Sequence, residues 1–208
     1  MSDALIEAWV TLIGGEHARS DGLDLLERYA EPHRRYHNVK HLEEVLAIVA
    51  ELSAEAEDAD AVRLAAWFHD AIYTIGGEPG VSNEEASARL AEQVLAGLGV
   101  SAARIAEAAR LVRLTEAHRS EADDRNAAVL CDADLAILGA SGERYRQYAR
   151  EVRQEYAEIP EEAFRRGRAE ILRSLLQADT LFRTAAARER YEDRARANLA
   201  AEIAGLSS

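Results

Sequence analysis

The stretch AAWFHDAIY, residues 65–73, places a histidine and an aspartate side by side in a run that is otherwise apolar. Burial of an imidazole and a carboxylate is costly unless another group compensates them. The helical pattern around residues 59–73 is apolar on most sides, so little of this helix can face water. A bound cation would compensate His69 and Asp70 together. The alternative is a neutral buried histidine beside an aspartate that caps a helix or forms a salt bridge.

Helical periodicity runs along the whole chain, whereas the alternation of apolar and polar residues that marks strands is nearly absent. There is no internal repeat, low-complexity tract or Pro/Ser-rich linker. We therefore predict one all-α domain over residues 1–208, with its core around residues 39–53, 59–73 and 126–138. Ten helices are predicted, near residues 3–13, 20–30, 39–53, 59–73, 83–98, 101–115, 126–138, 143–157, 161–177 and 184–204.

The composition excludes some classes of partner. The 208 residues have a net charge of -13, which argues against a nucleic-acid polymer or an anionic membrane as a partner. The single cysteine, Cys131, cannot form an internal disulfide and fits a reducing compartment. The amino-terminal sequence lacks the basic start of a signal peptide, and no window is apolar enough to cross a membrane. We therefore expect a cytoplasmic protein.

Another histidine lies where a partner for the doublet is needed. Asn38 is the predicted N-cap of the helix over residues 39–53, and His41 follows on its first turn at the edge of the apolar stripe. The imidazole therefore points inward, either toward a shared cation or toward a backbone carbonyl. His37 would share this face only if the helix began earlier.

Two aspartates interrupt a third apolar run, AAVLCDADLAILGA, at residues 127–140. Asp132 and Asp134 are about 200° apart around a helix, so a regular helix cannot turn both toward one site. Periodicity does not select between them. One could be a ligand while the other caps a helix, or both could satisfy backbone amides at a helix N-terminus.

The order of His41, the doublet of His69 and Asp70, and a later aspartate resembles the HD superfamily of metal-dependent phosphohydrolases, an all-α fold named for its His-Asp doublet. The flanking stretches RRYHNVKH, FHDAIY, SNEEASA, DADLAILG, YRQYAREVRQEY and GRAEIL are similar to one uncharacterised bacterial subfamily of HD proteins. This resemblance implies a single HD-type helical domain.

The resemblance also implies which residues bind metal: His41, His69, Asp70 and Asp134. Asp134 is preferred to Asp132 because the last aspartate of the family usually precedes a residue equivalent to Leu135. Asp132 would then cap a helix or accept a hydrogen bond near the site.

Nitrogen and oxygen donors without a thiolate suit a divalent ion such as Mn, Mg, Co, Ni, Fe or Zn. The resemblance implies hydrolysis of a small phosphorylated substrate, with nucleotides among the candidates. The metal would bind a phosphoryl oxygen and lower the pKa of a bound water, and Asp70 would bind the metal and take the proton of that water. Two alternatives are a di-iron oxygenase built on the HD fold and a metal-binding helical module without turnover. The sequence does not determine the oligomeric state.

Glu85 and His118 are further catalytic candidates. Ser82 and Glu85 have the spacing of a capping box, which gives Glu85 a structural role. In some HD hydrolases a glutamate shortly after the doublet helps to activate water, so Glu85 or Glu84 could do so here. His118 lies between the doublet and the last aspartate, where HD proteins sometimes supply another polar site residue; an exposed loop histidine is the alternative.

Arginine binds phosphate bidentately, and the candidates are Arg34, Arg35, Arg153 and Arg168. A second metal ion would need at least two more protein donors, for which His37 and His118 are the candidates. Both are better suited to bind substrate or orient water. We therefore predict one metal ion per chain, with these two histidines near the pocket but not bound to the metal.

Overall fold

The computed structural model describes residues 2–76, 80–118, 121 and 123–206. Within these ranges it contains ten α-helices, three short 3-10 helices and no strand. The α-helices are α1 (Ser2–Ile13), α2 (Arg19–Tyr29), α3 (Val39–Glu51), α4 (Ala59–Phe68), α5 (Asn83–Gly97), α6 (Ala102–Leu114), α7 (Arg125–Leu135), α8 (Gly142–Glu155), α9 (Glu161–Leu176) and α10 (Ala185–Leu206). The predicted all-α class is confirmed. No helix in the described part of the chain is both long and apolar enough to span a membrane.

Polar residues begin the helices on either side of the doublet, as the sequence predicts. Asn38 Oδ1 accepts a hydrogen bond from the backbone N–H of Lys40 at 2.9 Å. Ser82 Oγ accepts one from the backbone N–H of Glu85 at 3.2 Å. Each bond satisfies a donor that the first turn of a helix leaves without an intrahelical partner. The starts of α3 and α5 are therefore set by local sequence.

The contacts divide the chain into two compact units, residues 1–130 and 131–208. The boundary falls inside α7, so this helix begins in the first unit and ends in the second. The single-domain organisation over residues 1–208 stays a prediction.

In the first unit, α4 packs against α3, α5 and α6. Its last five residues, 64–68, are each at most 2% exposed. Trp67 and Phe68 meet Trp9 of α1, with ring centroids 5.2 and 6.0 Å apart. The doublet therefore directly follows one of the most buried segments of this unit.

The contact between α1 and α2 requires a glycine. A Cβ on Gly22 would lie 2.5 Å from Trp9 Cδ1. Trp9 is fully buried, and its Nε1 donates to the Ala18 carbonyl at 2.8 Å, so the ring cannot easily move away.

We expect Gly22→Ala to lower the free energy of unfolding by about 1–3 kcal/mol through overpacking, measured by urea denaturation. Gly167→Ala is the matched control, because nothing lies within 4 Å of a Cβ at that helical position. Alanine at such a site favours the helix by about 0.5–1 kcal/mol. An equal effect of both substitutions would contradict the close packing of Gly22.

In the second unit, α10 packs against α9 and against the 3-10 helix Ala136–Gly139 that follows α7. Asn198 Nδ2 donates to the carbonyl oxygens of Leu138 at 2.8 Å and Ala140 at 3.0 Å. These bonds satisfy carbonyls that the end of a helical segment leaves free. They hold α10 against the segment that directly follows the last turn of α7.

Candidate metal centre

Helix α4 ends at Phe68, earlier than the sequence predicts, so His69 and Asp70 follow the helix. The prediction that the doublet lies inside a helix is wrong. The Ala66 carbonyl, which would accept the Asp70 N–H in a continued helix, instead lies 2.8 Å from His69 Nδ1. The Asp70 N–H donates to the Tyr29 hydroxyl at 3.3 Å. Side chains therefore satisfy the groups that would have extended the helix.

Arg34 holds the backbone directly after the doublet. Its guanidinium donates to the carbonyl oxygens of Asp70 at 2.6 Å, Ala71 at 3.2 Å and His37 at 3.1 Å. Its Nε lies 3.0 Å from Glu31 Oε2, and its side chain is completely buried. These contacts use donors that a phosphate group would need. Arg34 is therefore not the arginine that would bind phosphate.

Three donor atoms from His41, His69 and Asp70 meet in the first unit. The two Nε2 atoms of the histidines are 3.0 Å apart. Asp70 Oδ2 lies 3.4 Å from Nε2 of His41 and 3.2 Å from Nε2 of His69. The histidine side chains are at most 2% exposed and that of Asp70 is 16% exposed. We call these three residues the donor triangle.

The hydrogen bonds around the donor triangle join its atoms to one another and to the backbone. His69 Nδ1 donates its proton to the Ala66 carbonyl, and His69 Nε2 lies 3.0 Å from Nε2 of His41. Burial alone would raise the pKa of Asp70, but the charge of His69 and hydrogen bonds from His41 and His69 hold it well below its ordinary value. The triangle therefore holds an ionised carboxylate against two imidazoles.

His37 lies beside the donor triangle. Its ring centroid is 5.7 Å from that of His41, and its ring stacks on Tyr73 at 4.3 Å. His33 Nε2 is 2.8 Å from the Tyr73 carbonyl, which fixes the backbone under this stack. These distances fit the prediction of His37 as a residue near the pocket, whereas its role in binding substrate or water stays a prediction.

Asp132 is fully buried in the second unit and caps a helix. Its carboxylate accepts the backbone N–H groups of Arg183 at 2.8 Å and Thr184 at 2.7 Å, immediately before α10. Burial raises the pKa of Asp132, and the backbone hydrogen bonds offset part of this rise. The carboxylate thus binds backbone amides, as the structural alternative predicts, but these amides precede α10 rather than begin the helix that contains Asp132.

Asp134 is half-buried in the last turn of α7, in the second unit. It is turned about 200° from Asp132 around that helix, so it points away from the amides that Asp132 binds. Burial is the main cause that raises the pKa of Tyr148, and the charge of Asp134 contributes to this rise. Because Asp132 is occupied, Asp134 is the better candidate for a ligand.

Two arginines hold Glu85. Its carboxylate lies 2.6 Å from Arg113 Nε and 2.7 Å from Arg89 Nε. Hydrogen bonds from Arg113 and then Arg89 lower the pKa of Glu85 to about 2. Each of its oxygens is held by a guanidinium group, Oε1 by Arg89 and Oε2 by Arg113. The structure therefore confirms the capping bond at Ser82 but does not favour Glu85 as a general base, and its catalytic role stays a prediction.

His118 lies in the turn that follows α6. Its φ of 48° is in the left-handed region, and its N–H donates to the Leu114 carbonyl at 2.9 Å. This is a common way to end a helix, and it leaves the imidazole half-buried. A place for His118 near the site stays a prediction.

The two arginine candidates of the second unit bind carboxylates. Arg153 Nε lies 2.8 Å from Glu161 Oε2, and Arg168 Nε lies 2.8 Å from Glu202 Oε1. Arg168 is only 10% exposed. Arg35 is exposed. Its role in binding phosphate stays a prediction.

A family model for the HD domain matches residues 38–136. The match begins at the N-cap of α3 and ends just after α7, so it covers His41, the doublet and Asp134. Residues 38–136 are therefore similar to the HD domain, and the resemblance seen in the sequence is confirmed over this segment. Comparisons with curated proteins and with solved structures gave no match.

Tyr29 and Tyr73 are parts of the site that the sequence does not predict. Tyr29 binds the backbone of the doublet, and Tyr73 stacks on His37. Both are aromatic residues close in sequence to the histidines, which is the only signal that the sequence offers. It cannot show that a hydroxyl bonds to a backbone group 41 residues away.

Proposed function

We propose that this protein is a metal-dependent hydrolase of a small phosphate ester, with nucleotides among the candidate substrates. The donor triangle is the observation that supports the proposal most directly. Two ligands about 2.1 Å from one ion and at right angles to each other are about 3 Å apart. The sides of 3.0, 3.2 and 3.4 Å fit three neighbouring positions around one divalent ion.

The donor chemistry also fits a metal. Two imidazole nitrogens and one carboxylate oxygen, with no thiolate, suit Mn, Fe, Co, Ni, Zn or Mg. Without a cation, an ionised carboxylate buried beside two imidazoles would have only their protonation to balance it. HD domains are mostly metal-dependent hydrolases, so the family points to the same chemistry.

We propose Asp134 as the fourth ligand. The resemblance to HD proteins implies His41, His69 and Asp134 as ligands of one metal ion. The match to the HD domain includes all three residues. Capping by Asp132 supports the choice of Asp134, because the two carboxylates cannot turn the same way on one helix.

A bound divalent ion supplies a Lewis acid that binds a phosphoryl oxygen and lowers the pKa of water. Asp70 Oδ2 faces both histidines, which leaves Oδ1 as the atom proposed to take the proton of the attacking water. The backbone amide and carbonyl of Asp70 are both held, so its carboxylate is restricted in orientation. His37 is proposed to bind substrate, and Arg35 to bind its phosphate. The expected compartment is the cytoplasm.

The experiment is a screen of phosphate esters and nucleotides against protein loaded separately with each of the six candidate metals. We expect one metal per chain, measured by elemental analysis, and turnover that a chelator removes. One bound metal with no hydrolysis of any ester would favour a metal-binding module without turnover. Two tightly bound irons per chain with oxygen consumption would favour the oxygenase.

A further inference from the structure

We propose that Arg34 is a positioning residue, and that its guanidinium and the Tyr29 hydroxyl set the backbone of the doublet so that His69 and Asp70 face His41. The inference rests on the proposed function only for the identity of the ion that the donor triangle binds.

The backbone of the doublet explains why such a clamp is needed. Neighbouring side chains on a continued helix would point about 100° apart. In the structure α4 ends at Phe68, and the Ala71 N–H donates to the Phe68 carbonyl at 3.0 Å in the turn that contains His69 and Asp70. The donor atoms of His69 and Asp70 then come within 3.2 Å of each other. The donor atoms therefore converge within the turn that ends α4.

Tyr29 and Arg34 satisfy the polar groups that the end of the helix exposes. The Tyr29 hydroxyl donates to the Trp67 carbonyl at 3.2 Å and accepts the N–H of Asp70 at 3.3 Å. The Arg34 guanidinium donates hydrogen bonds to the carbonyl oxygens of Asp70 at 2.6 Å and Ala71 at 3.2 Å. A buried backbone group without a partner would cost about as much as a lost hydrogen bond. The two side chains thus make this irregular backbone stable.

Arg34 also fixes the approach to α3, which contains His41. The Nη1 atom that holds the Asp70 carbonyl also holds the His37 carbonyl, at 3.1 Å. One guanidinium nitrogen therefore connects the backbone just before α3 to the backbone of the doublet. This connection sets the separation of His41 from His69 and Asp70.

The environment of Arg34 suits a guanidinium and not an ammonium. Its carbon lies 5.2 Å from the Tyr29 ring centroid and 5.5 Å from that of Tyr73, within the range of cation–π attraction. Its Nε is bound to Glu31. A lysine has three donors on a single atom, so it cannot reach the carboxylate and three carbonyls from one position. The substitution Arg34→Lys therefore keeps the charge and removes the clamp.

The test compares Arg34→Lys with a matched control, Arg153→Lys. Arg153 likewise donates to two carbonyls, those of Tyr156 and Ile159, binds a carboxylate, and lies 4.7 Å from the Phe164 ring centroid. It differs in belonging to the second unit, where it holds the turn between α8 and α9. Both variants therefore lose a guanidinium that bonds to backbone carbonyls and to a carboxylate. Only Arg34→Lys loses one that bonds to the backbone of the doublet.

The first readout is the affinity for Co²⁺ alone, followed by its visible absorption. We expect Arg34→Lys to weaken binding about 10-fold or more, the effect seen for groups that orient metal ligands, and to change the absorption bands. Arg153→Lys should bind Co²⁺ like the parent. The second readout is the imidazole ¹⁵N spectrum of metal-free protein, in which the six histidines give few signals. Only Arg34→Lys should shift those of His41 and His69.

A folded Arg34→Lys variant with the Co²⁺ affinity and imidazole signals of the parent would overturn the proposal, as would a variant that is merely less stable. If Arg34→Lys does not fold, Tyr29→Phe keeps the ring and removes the hydroxyl that binds the doublet, and the same two readouts apply. Failure of the parent to bind Co²⁺ would count against the proposed function. The imidazole spectra of the metal-free variants would still decide the role of Arg34.

Discussion

The double variant His69→Ala/Asp70→Ala is expected to lose metal binding and all metal-dependent hydrolysis. It removes two of the three donors that lie 3.0–3.4 Å from one another. Loss of a group that only orients a ligand weakens metal binding by about 10- to 100-fold, so loss of two ligands should exceed about 100-fold. Isothermal titration with each metal would measure this, and phosphate release would measure the activity.

The control for this variant is His17→Ala, which removes an exposed histidine of the same unit. It should bind metal and turn over substrate like the parent. Circular dichroism of all three proteins would establish that the helices are retained. A double variant that holds metal as tightly as the parent would contradict the assignment of the donor triangle.

Asp132→Asn is expected to destabilise the protein by about 2–4 kcal/mol, in the range for loss of a buried, charge-assisted cap. The Asp132 carboxylate accepts N–H groups of Arg183 and Thr184 through both of its oxygens. An asparagine has only one side-chain oxygen and would turn its NH₂ group toward a backbone N–H. Urea denaturation of metal-free protein would measure the loss.

Asp134→Asn makes the same chemical change two positions away. On the proposed ligand set it should weaken metal binding by about 10-fold or more, with a change in unfolding free energy within about 1 kcal/mol. The two variants therefore separate the stabilising aspartate from the ligand. If Asp132→Asn instead removed the metal and Asp134→Asn left it bound, the last ligand would be Asp132.

The helices could be predicted because their signals are local. Asn38 and Ser82 satisfy donors two and three residues ahead, so the bonds that begin α3 and α5 lie within a few residues of sequence. Apolar periodicity identifies the buried faces of these helices in the same way. These signals do not depend on residues that are distant in sequence.

The candidate site was predicted less completely. His41 and the doublet were chosen because polar residues stand where apolar ones are expected, and the resemblance to HD proteins supplied Asp134. The sequence could not show that Arg113 engages Glu85 from 28 residues away, or that Arg34 is buried. Each of these roles depends on which side chains meet across the fold. The resemblance to HD hydrolases made Glu85 a candidate base, and residue type made Arg34 one of four candidates for binding phosphate.

The sequence by itself determined the all-α class, the helix starts at Asn38 and Ser82, and the HD pattern of residues. The tertiary structure decided that α4 ends at Phe68. The hydroxyl that takes the N–H of Asp70 and the guanidinium that takes its carbonyl come from residues 41 and 36 positions earlier. A helix ends where the next backbone N–H and C=O groups form hydrogen bonds to groups outside the helix. At the doublet those partners are distant in sequence, so only the folded chain could supply them.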